Sequence, residues 1–345
     1  MKIVVVGDAG TSPEFYANTA RALPYEDLTV VALEWKLPIE ELQKRFLNIE
    51  LNGPEAEEPP EELLREVVDA DILMVHVCPV SRRVIEAGKK LRMIGACRGG
   101  LENIDVKAAT EQKIPVFHVV RNAEPVADFT LGLMLSETRN IARSHHAATD
   151  GVWLKKFSNS NYTTTLSEQM VGLIGLGHIG KLVAQRLLAL GVEVMGWDPF
   201  LSEESLAALD KRIAVKTDIE EVFQEADIVS LHIRLSEQTE NLVDSRLLSL
   251  MKQSAYLINT SRAGILEEAA FIDTMKNRSI AGAALDVFWE EPLPKHHELL
   301  KLDNITITSH IAGDTVDAIP KSPKLLIRVI NEYIQTGRSD FLVNL

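Results

Sequence analysis

Short apolar runs alternate with helical stretches along most of the chain. In the first third, runs at 3–6, 28–33, 72–77, 93–96 and 115–119 are bounded by polar or turn-forming residues, and they predict buried strands. A second series follows at 171–174, 193–197, 228–233, 256–259, 280–287 and 305–309. Between the two series a long helical pattern from about 125 to 148 carries Val126, Phe129, Leu133, Met134 and Ile141 on one side. Thr217-Asp218-Ile219-Glu220 reads as a capping box opening the helix before the strand at 228. An amphipathic helix from about 323 to 335 closes the chain. Two stretches are loops by composition: the acidic, proline-rich 53–60 and the Ser/Asn/Thr-rich 158–165. Strand alternating with helix in both series predicts an α/β protein of two doubly wound parallel-sheet domains.

Only the second series carries a phosphate-binding signature. Gly175-Leu176-Gly177-His178-Ile179-Gly180 directly follows the apolar run at 171–174 and opens a helix with Ile179, Leu182, Val183, Leu187 and Leu190 on one face. Gly175 permits the tight turn, Gly177 lets backbone approach a pyrophosphate, and Gly180 lets helix and strand pack closely. The free N–H groups of that helix point at the phosphates, and Gly191 is placed to cap its far end. The next strand ends in Asp198, 18 residues after Gly180, where a ribose-binding acid is expected. A carboxylate accepts from both ribose hydroxyls and repels a 2′-phosphate by roughly 4 kcal/mol at about 4 Å and an effective dielectric of about 20. The expected cofactor is therefore NAD. By contrast, Gly7-Asp8-Ala9-Gly10 has the wrong glycine spacing and no following lysine, and reads as a turn.

A length of 345 residues and a hydrophobic fraction of 46% suit a two-domain globular protein. A net charge of −14 argues against nucleic acid or an anionic membrane surface as partner, though not against a small anion in a locally positive cleft. Cys78 and Cys97 form no C-x-x-C pair, and each lies in an apolar run, as reduced buried thiols would. The amino end reads as a strand and no apolar run is long enough to span a bilayer, so a cytoplasmic location is expected. The pairs His145-His146 and His296-His297 lack metal-ligand spacing, and no metal is expected.

Three polar groups follow the later strands at their carboxyl ends. Asn259-Thr260-Ser261-Arg262-Ala263-Gly264 offers a cation, Asp286-Val287-Phe288-Trp289-Glu290-Glu291-Pro292 an acid, and Ser309-His310-Ile311-Ala312-Gly313 an imidazole. With the fingerprint, with Asn103-Ile104-Asp105 and with Asn122-Ala123-Glu124-Pro125-Val126-Ala127-Asp128, these motifs resemble the D-isomer-specific 2-hydroxyacid dehydrogenase family in its phosphoglycerate dehydrogenase-like branch. The resemblance runs over essentially the whole chain. It implies a Rossmann NAD-binding domain, residues 123–316, inserted into a flavodoxin-like substrate domain made of 1–122 and 317–345, with reaction in the cleft between them.

The roles implied by the resemblance fall on matching positions. Arg262 would bind the substrate carboxylate and polarise the C2 oxygen, His310 would be the acid/base, and Glu291 would orient the ring and raise its basicity. Gly175, Gly177, His178, Ile179, Gly180, Asp198, His232, Thr239, Thr260 and Asp286 would surround the cofactor, although Asp286, a rival to Glu291, precedes Val287 and Phe288 within its strand, a place that favours fixing local backbone. Arg98, Gly99 and Gly100 would line the substrate pocket with Arg262. The partner is a small anionic 2-hydroxy or 2-keto acid, and the assembly a homodimer through the helix beginning near Pro125.

Some positions depart from the family. Arg98 stands where many relatives have a small or apolar residue, Arg234 and Ser309 where proline is common, and Ala263 where glycine is. Arg82, Arg83 and Arg121 fall in segments expected near the same cleft. One reading is a second anionic group on the substrate, a phosphate or distal carboxylate. The other is structural salt bridges, favoured for Arg82 and Arg83 and evenly balanced for Arg98. A corepressor-like NAD-sensing binding protein on the same scaffold is the alternative to an enzyme.

Overall fold

The computed structural model describes residues 1–345. The chain forms two compact units, Met1–Arg121 with Thr315–Leu345, and Asn122–Asp314. The second unit thus interrupts the first in sequence. No helix is long and apolar enough to cross a membrane.

The first unit holds a wholly parallel sheet in the order β2-β1-β3-β4-β5, built from β1 (Lys2–Gly7), β2 (Thr29–Glu34), β3 (Ile72–Val75), β4 (Met93–Ala96) and β5 (Val116–Phe117). This is the flavodoxin-like order. Strands β3, β4 and β5, and β1 after Lys2, are apolar because both faces are covered. Val4, Val6, Leu73, Val75 and Ile94 enter one core, while Ile3, Val5, Ile72, Met74 and Met93 enter another on the opposite face. The second core includes Leu326 and Ile330 of the closing helix, Ala318–Thr336. Gly95 lets that helix lie close, since a Cβ there would sit 2.9 Å from Leu326 Cδ2.

The closing helix starts five residues before Pro323, where the sequence pattern begins it. Proline inside a helix leaves the carbonyl four residues back without its N–H donor. Ser322 supplies the replacement, its Oγ donating to the Ile319 carbonyl at 2.6 Å. The two cysteines are buried and free, and burial pushes the Cys97 thiol up to about 12.

The second unit holds a seven-stranded parallel sheet in the order β12-β11-β10-β9-β6-β7-β8. Its strands are β6 (Met170–Ile174), β7 (Glu193–Trp197), β8 (Ile213–Val215), β9 (Ile228–Leu231), β10 (Tyr256–Asn259), β11 (Gly282–Leu285) and β12 (Ile305–Ile307). Counted from β6, this is the Rossmann order 3-2-1-4-5-6 with one further strand. The edge strand β8 has no counterpart in the sequence reading, because Ile213-Ala214-Val215 is an apolar run of only three residues between Arg212 and Lys216. Asp218, not Thr217, caps the next helix, its carboxylate accepting from the Glu220 N–H at 2.9 Å.

The long helical pattern is broken in the structure. One helix spans Ala123–Thr138 and a second Ile141–Thr149, with Asn140 between them at φ 57°. Asparagine tolerates this left-handed conformation, and here its side chain is held on both sides. Its Nδ2 donates to Asn159 Oδ1 at 2.7 Å, and its Oδ1 accepts from Arg143 Nη1 at 2.9 Å. Ile141, apolar in sequence, is exposed.

Glu137, one turn before that break, is wholly buried. It accepts from Arg143 Nη2 at 2.5 Å and from Thr306 Oγ1 at 2.6 Å, in space left by the missing side chain of Gly282. Burial pushes its carboxyl up to about 7, against the opposing pull of Arg143 and Thr306. A folded-state value above the unfolded one means that this group's stabilisation is complete below about pH 4.5 and is lost as pH rises through about 7. Glutamine mimics the protonated form. Melting temperatures of wild type and Glu137→Gln should therefore be similar near pH 5. The variant should gain on wild type by on the order of 2 kcal/mol by pH 8, and parallel pH profiles would refute the assignment.

Candidate active site

The turn from β6 into the helix His178–Ala189 is shaped by glycine at two points. Gly175 has φ 101°, and a Cβ there would lie 2.7 Å from the His232 carbonyl carbon. A Cβ on Gly180 would run into the Gly175 carbonyl oxygen. Gly177 is the helix N-cap and brings no side chain to cap the first turn, and a Cβ on Gly177 would meet nothing within 4 Å. These residues fit a dinucleotide pyrophosphate. Asp198 follows β7 and is half-buried, its Oδ2 accepting from Leu176 N and its Oδ1 from Phe200 N, both at 2.9 Å. Two backbone donors lock the carboxylate beside the fingerprint while each oxygen keeps lone-pair capacity for a ribose hydroxyl.

The other expected cofactor residues divide by their partners. His232 follows β9, its N–H donates to the Ile174 carbonyl at 2.7 Å, and its ring Nε2 pairs with Ser230 Oγ at 3.0 Å. Desolvation pushes it down to about 4, so the imidazole is neutral. Ile179 is half-buried against the core. Thr239 and Thr260 are buried and committed elsewhere. Thr239 Oγ1 donates to the Arg234 carbonyl at 2.6 Å and closes a loop, while Thr260 Oγ1 pairs with Thr130 Oγ1 at 2.8 Å. Asp286 is wholly buried and accepts from Thr308 Oγ1 at 2.6 Å, Ile311 N at 3.0 Å and Ala312 N at 2.8 Å. Of the two roles the sequence leaves open to it, these bonds match the backbone-fixing one.

Those bonds bear directly on His310. The residue holds φ 56°, a left-handed conformation rare outside glycine. Asp286 grips the two N–H groups after it and the hydroxyl before it, which pins the backbone there. Sequence gave no sign of this strain.

Arg262, Glu291 and His310 follow β10, β11 and β12, three neighbours in the sheet, so their loops leave the same edge. His310 Nδ1 and Glu291 Oε2 are 2.7 Å apart. Glu291 Oε1 accepts from the Phe288 N–H at 2.9 Å, which fixes the carboxylate before it meets the ring. Burial pushes the Glu291 carboxyl up, but hydrogen bonds from His310 and Phe288 and the charges of His310 and Arg262 outweigh it and hold it below the ordinary carboxylate value. With Nδ1–H donated to Glu291, His310 presents Nε2 outward. Arg262 is exposed, with Nη1 donating to its neighbour's carbonyl, that of Ser261, at 2.7 Å. A carboxylate-backed imidazole beside a guanidinium can bind an anion and move one proton.

In the first unit, neither the Gly99 nor the Gly100 N–H is donated to a protein group. Arg98 is largely buried and already partnered. Its Nη2 donates to Glu50 at 3.2 Å, its Nη1 lies 3.0 Å from Glu102 without hydrogen-bond alignment, and its Cζ sits 4.2 Å from the Phe46 ring centroid. Arg82 pairs with Glu111 and Arg83 with Glu58 on the surface, the bland reading given them above.

The family model for the D-isomer specific 2-hydroxyacid dehydrogenase NAD binding domain matches residues 131–312. The chain is 35% identical over 288 residues to a D-3-phosphoglycerate dehydrogenase of Methanocaldococcus jannaschii, covering 83% of this chain but only 54% of that protein. It thus spans about half the length of that relative. A glyoxylate reductase of Thermofilum pendens is 34% identical over 302 residues, covering 83% of this chain and 85% of the reductase. Among solved structures, the NAD complex of a D-isomer specific 2-hydroxyacid dehydrogenase from Lactobacillus delbrueckii ssp. bulgaricus shares the fold, with TM-score 0.72 at 23% identity over all of both chains. NAD is the cofactor that the matched domain binds. On the fingerprint, the sheet order and these matches together, the chain belongs to the D-isomer specific 2-hydroxyacid dehydrogenase family.

Proposed function

We infer that this protein interconverts a D-2-hydroxy acid and its 2-keto acid. The observation that carries the reading is the Glu291–His310 pair at 2.7 Å, next in the strand order to Arg262, within the unit that binds NAD. Bound NAD supplies the acceptor, or as NADH the donor, of the hydride at substrate C2. Arg262 holds the substrate carboxylate and draws electron density from the C2 oxygen. In oxidation, His310 Nε2 takes the hydroxyl proton as the C2–O bond becomes a carbonyl, and in reduction the imidazolium returns it. Glu291 keeps the ring turned with Nε2 outward and stabilises its charged form. In the first unit, the Gly99 and Gly100 N–H groups are donated to no protein group and suit an anion's oxygen. The reductase and dehydrogenase names of the relatives favour turnover over a corepressor-like role.

The deciding experiment follows NADH absorbance with glyoxylate, hydroxypyruvate, pyruvate and phosphorylated or branched 2-keto acids, and no turnover with any of them overturns the reading. Given an active substrate, His310→Gln should lower kcat about 100- to 10,000-fold. Glu291→Gln should lower kcat about 100-fold with KM little changed, because the ring loses the carboxylate that turns its Nε2 outward. An unchanged kcat removes Glu291 from the mechanism.

Asp198→Ser should weaken NADH binding and narrow the preference over NADPH by at least about tenfold, measured by cofactor titration. Unchanged preference would show that the acid does not discriminate.

A homodimer through the helical region beginning near Pro125 accords with the apolar surface left there: Ile141, Val152, Trp153 and Leu154 are exposed, Trp153 at 83%. Sedimentation equilibrium should give twice the chain mass, and Trp153→Asp should shift it toward monomer.

A further inference from the structure

The first unit ends in a tail that reaches back toward the loop after β4. Beyond the closing helix, residues 341–344 lie along the outer side of β5, the last strand in the sheet order. Leu342 makes an antiparallel bridge to Phe117. The Val343 N–H donates to the Val116 carbonyl at 3.0 Å, and the His118 N–H to the Phe341 carbonyl at 3.1 Å. Asn344 closes the seam with its side chain. Its Oδ1 accepts from the Val116 N–H at 2.7 Å, and its Nδ2 donates to the Ile114 carbonyl at 3.0 Å and to Thr110 Oγ1 at 2.9 Å. The tail thus answers backbone groups that an edge strand would leave open.

It also fixes a side chain. The Phe341 ring meets the His118 ring edge-on, with centroids 5.9 Å apart and planes at 64°. His118 is buried, and its Nδ1 lies 2.9 Å from the Gly99 carbonyl oxygen. A carbonyl oxygen only accepts, so Nδ1 carries the proton and donates it. Just before Gly99, the Arg98 carbonyl accepts from the Val119 N–H at 3.2 Å.

That bond has a consequence one atom pair further on. In a trans peptide the C=O and the following N–H point in opposite directions. Holding the Gly99 carbonyl toward His118 therefore turns the Gly100 N–H away from the ring, where it is donated to no protein group. Glycine stands on both sides of this peptide, so with no Cβ its plane can turn over at little steric cost. A turned-over peptide would offer an anion the Gly99 oxygen, an acceptor, in place of a donor. The imidazole prevents this, and Phe341 and Asn344 hold the imidazole.

We propose that His118, clasped by the carboxyl-terminal tail, is a positioning residue that locks the Gly99–Gly100 peptide with its N–H outward for an anion's oxygen. The anion's identity, a 2-keto acid, rests on reading the chain as a 2-hydroxyacid dehydrogenase. The lock itself lies wholly within the first unit. A donor fixed in advance binds more tightly than one that must first be turned.

Gly99–Gly100 is the one Gly–Gly pair in the sequence. Full-length protein carrying glycine labelled with ¹³C and ¹⁵N therefore gives a single HNCO signal, which reports this peptide alone and needs no substrate. In wild type that signal should be sharp. His118→Phe keeps a flat ring against Phe341 but removes the donor, and should split or broaden it. His118→Asn places an amide N–H as many bonds from the backbone as Nδ1 and should restore it. Asn344→Ala, which loosens the tail, should broaden it to a lesser degree. A His118→Phe signal unchanged from wild type overturns the proposal, as does one that His118→Asn disturbs equally. Should His118→Phe fail to fold, Asn344→Ala decides: a broadened signal supports the lock and an unchanged one overturns it. Oxamate, a carboxylate probe shaped like a 2-keto acid, is then titrated into the NADH-loaded chain. It should move the wild-type signal, with affinity about tenfold weaker in His118→Phe and within about threefold of wild type in His118→Asn. A wild-type signal that oxamate leaves in place overturns the anion role. NADH turnover is scored separately, so a chain that reduces no keto acid yet shows the lock and the oxamate response fails the dehydrogenase reading and keeps the positioning role.

Discussion

Two strands can run parallel in one sheet only if the chain crosses back over a face between them, and each crossing returns it to the same starting edge. Every pairing in both sheets here is parallel. All carboxyl ends within a sheet therefore leave by one edge, and polar residues placed just after strands gather there whatever their separation in sequence. Arg262, Glu291 and His310 span about fifty residues yet follow three adjacent strands. Asp8 and His76 lie 68 residues apart and meet in the same way. The crossovers also cover both sheet faces, which is why the inner strands are mostly apolar with the charged chemistry at their ends.

Rigidity at those ends comes from carboxylates that serve backbone. Asp286 answers three donors around His310, Glu291 takes the Phe288 N–H before it reaches the ring, and Asp198 holds Leu176 and Phe200. Each converts a flexible loop exit into a fixed direction for one functional group. A carboxylate satisfied by N–H donors keeps its charge when withdrawn from water, so the same residues set both geometry and electrostatics. The left-handed backbone of His310 persists because Asp286 over-determines it.

Much of the site was legible from residue order alone. A strand, a glycine-spaced turn, a helix and an acid at the next strand end form a local code, because each glycine answers a steric demand within a few residues of itself. Elements that depend on distant partners were less legible. The helix break at Asn140 needs Asn159 and Arg143 to hold a left-handed residue, and nothing nearby in sequence announces it. The edge strand β8 is three apolar residues between Arg212 and Lys216, too short a run to stand out until its pairing with β7 is seen. Pro323 reads as a helix start until Ser322 is seen to replace the missing donor.

What sequence by itself determined was everything encoded at short range: the α/β alternation, the fingerprint turn, the acid after the next strand, and which residues end which strands. Tertiary structure decided how charge is shared out. Arg98, evenly balanced in sequence between substrate and salt bridge, is met by Glu50 and Glu102, whereas Arg121 meets the His76 ring and the Cys97 carbonyl. Thr239, Thr260 and Asp286 turn inward to hydroxyls, carbonyls and N–H groups. The reason is physical. Steric demands on the backbone are settled by immediate neighbours, while the state of a charge or hydroxyl depends on what the fold brings within about 4 Å of it, and that distance carries no trace in residue number.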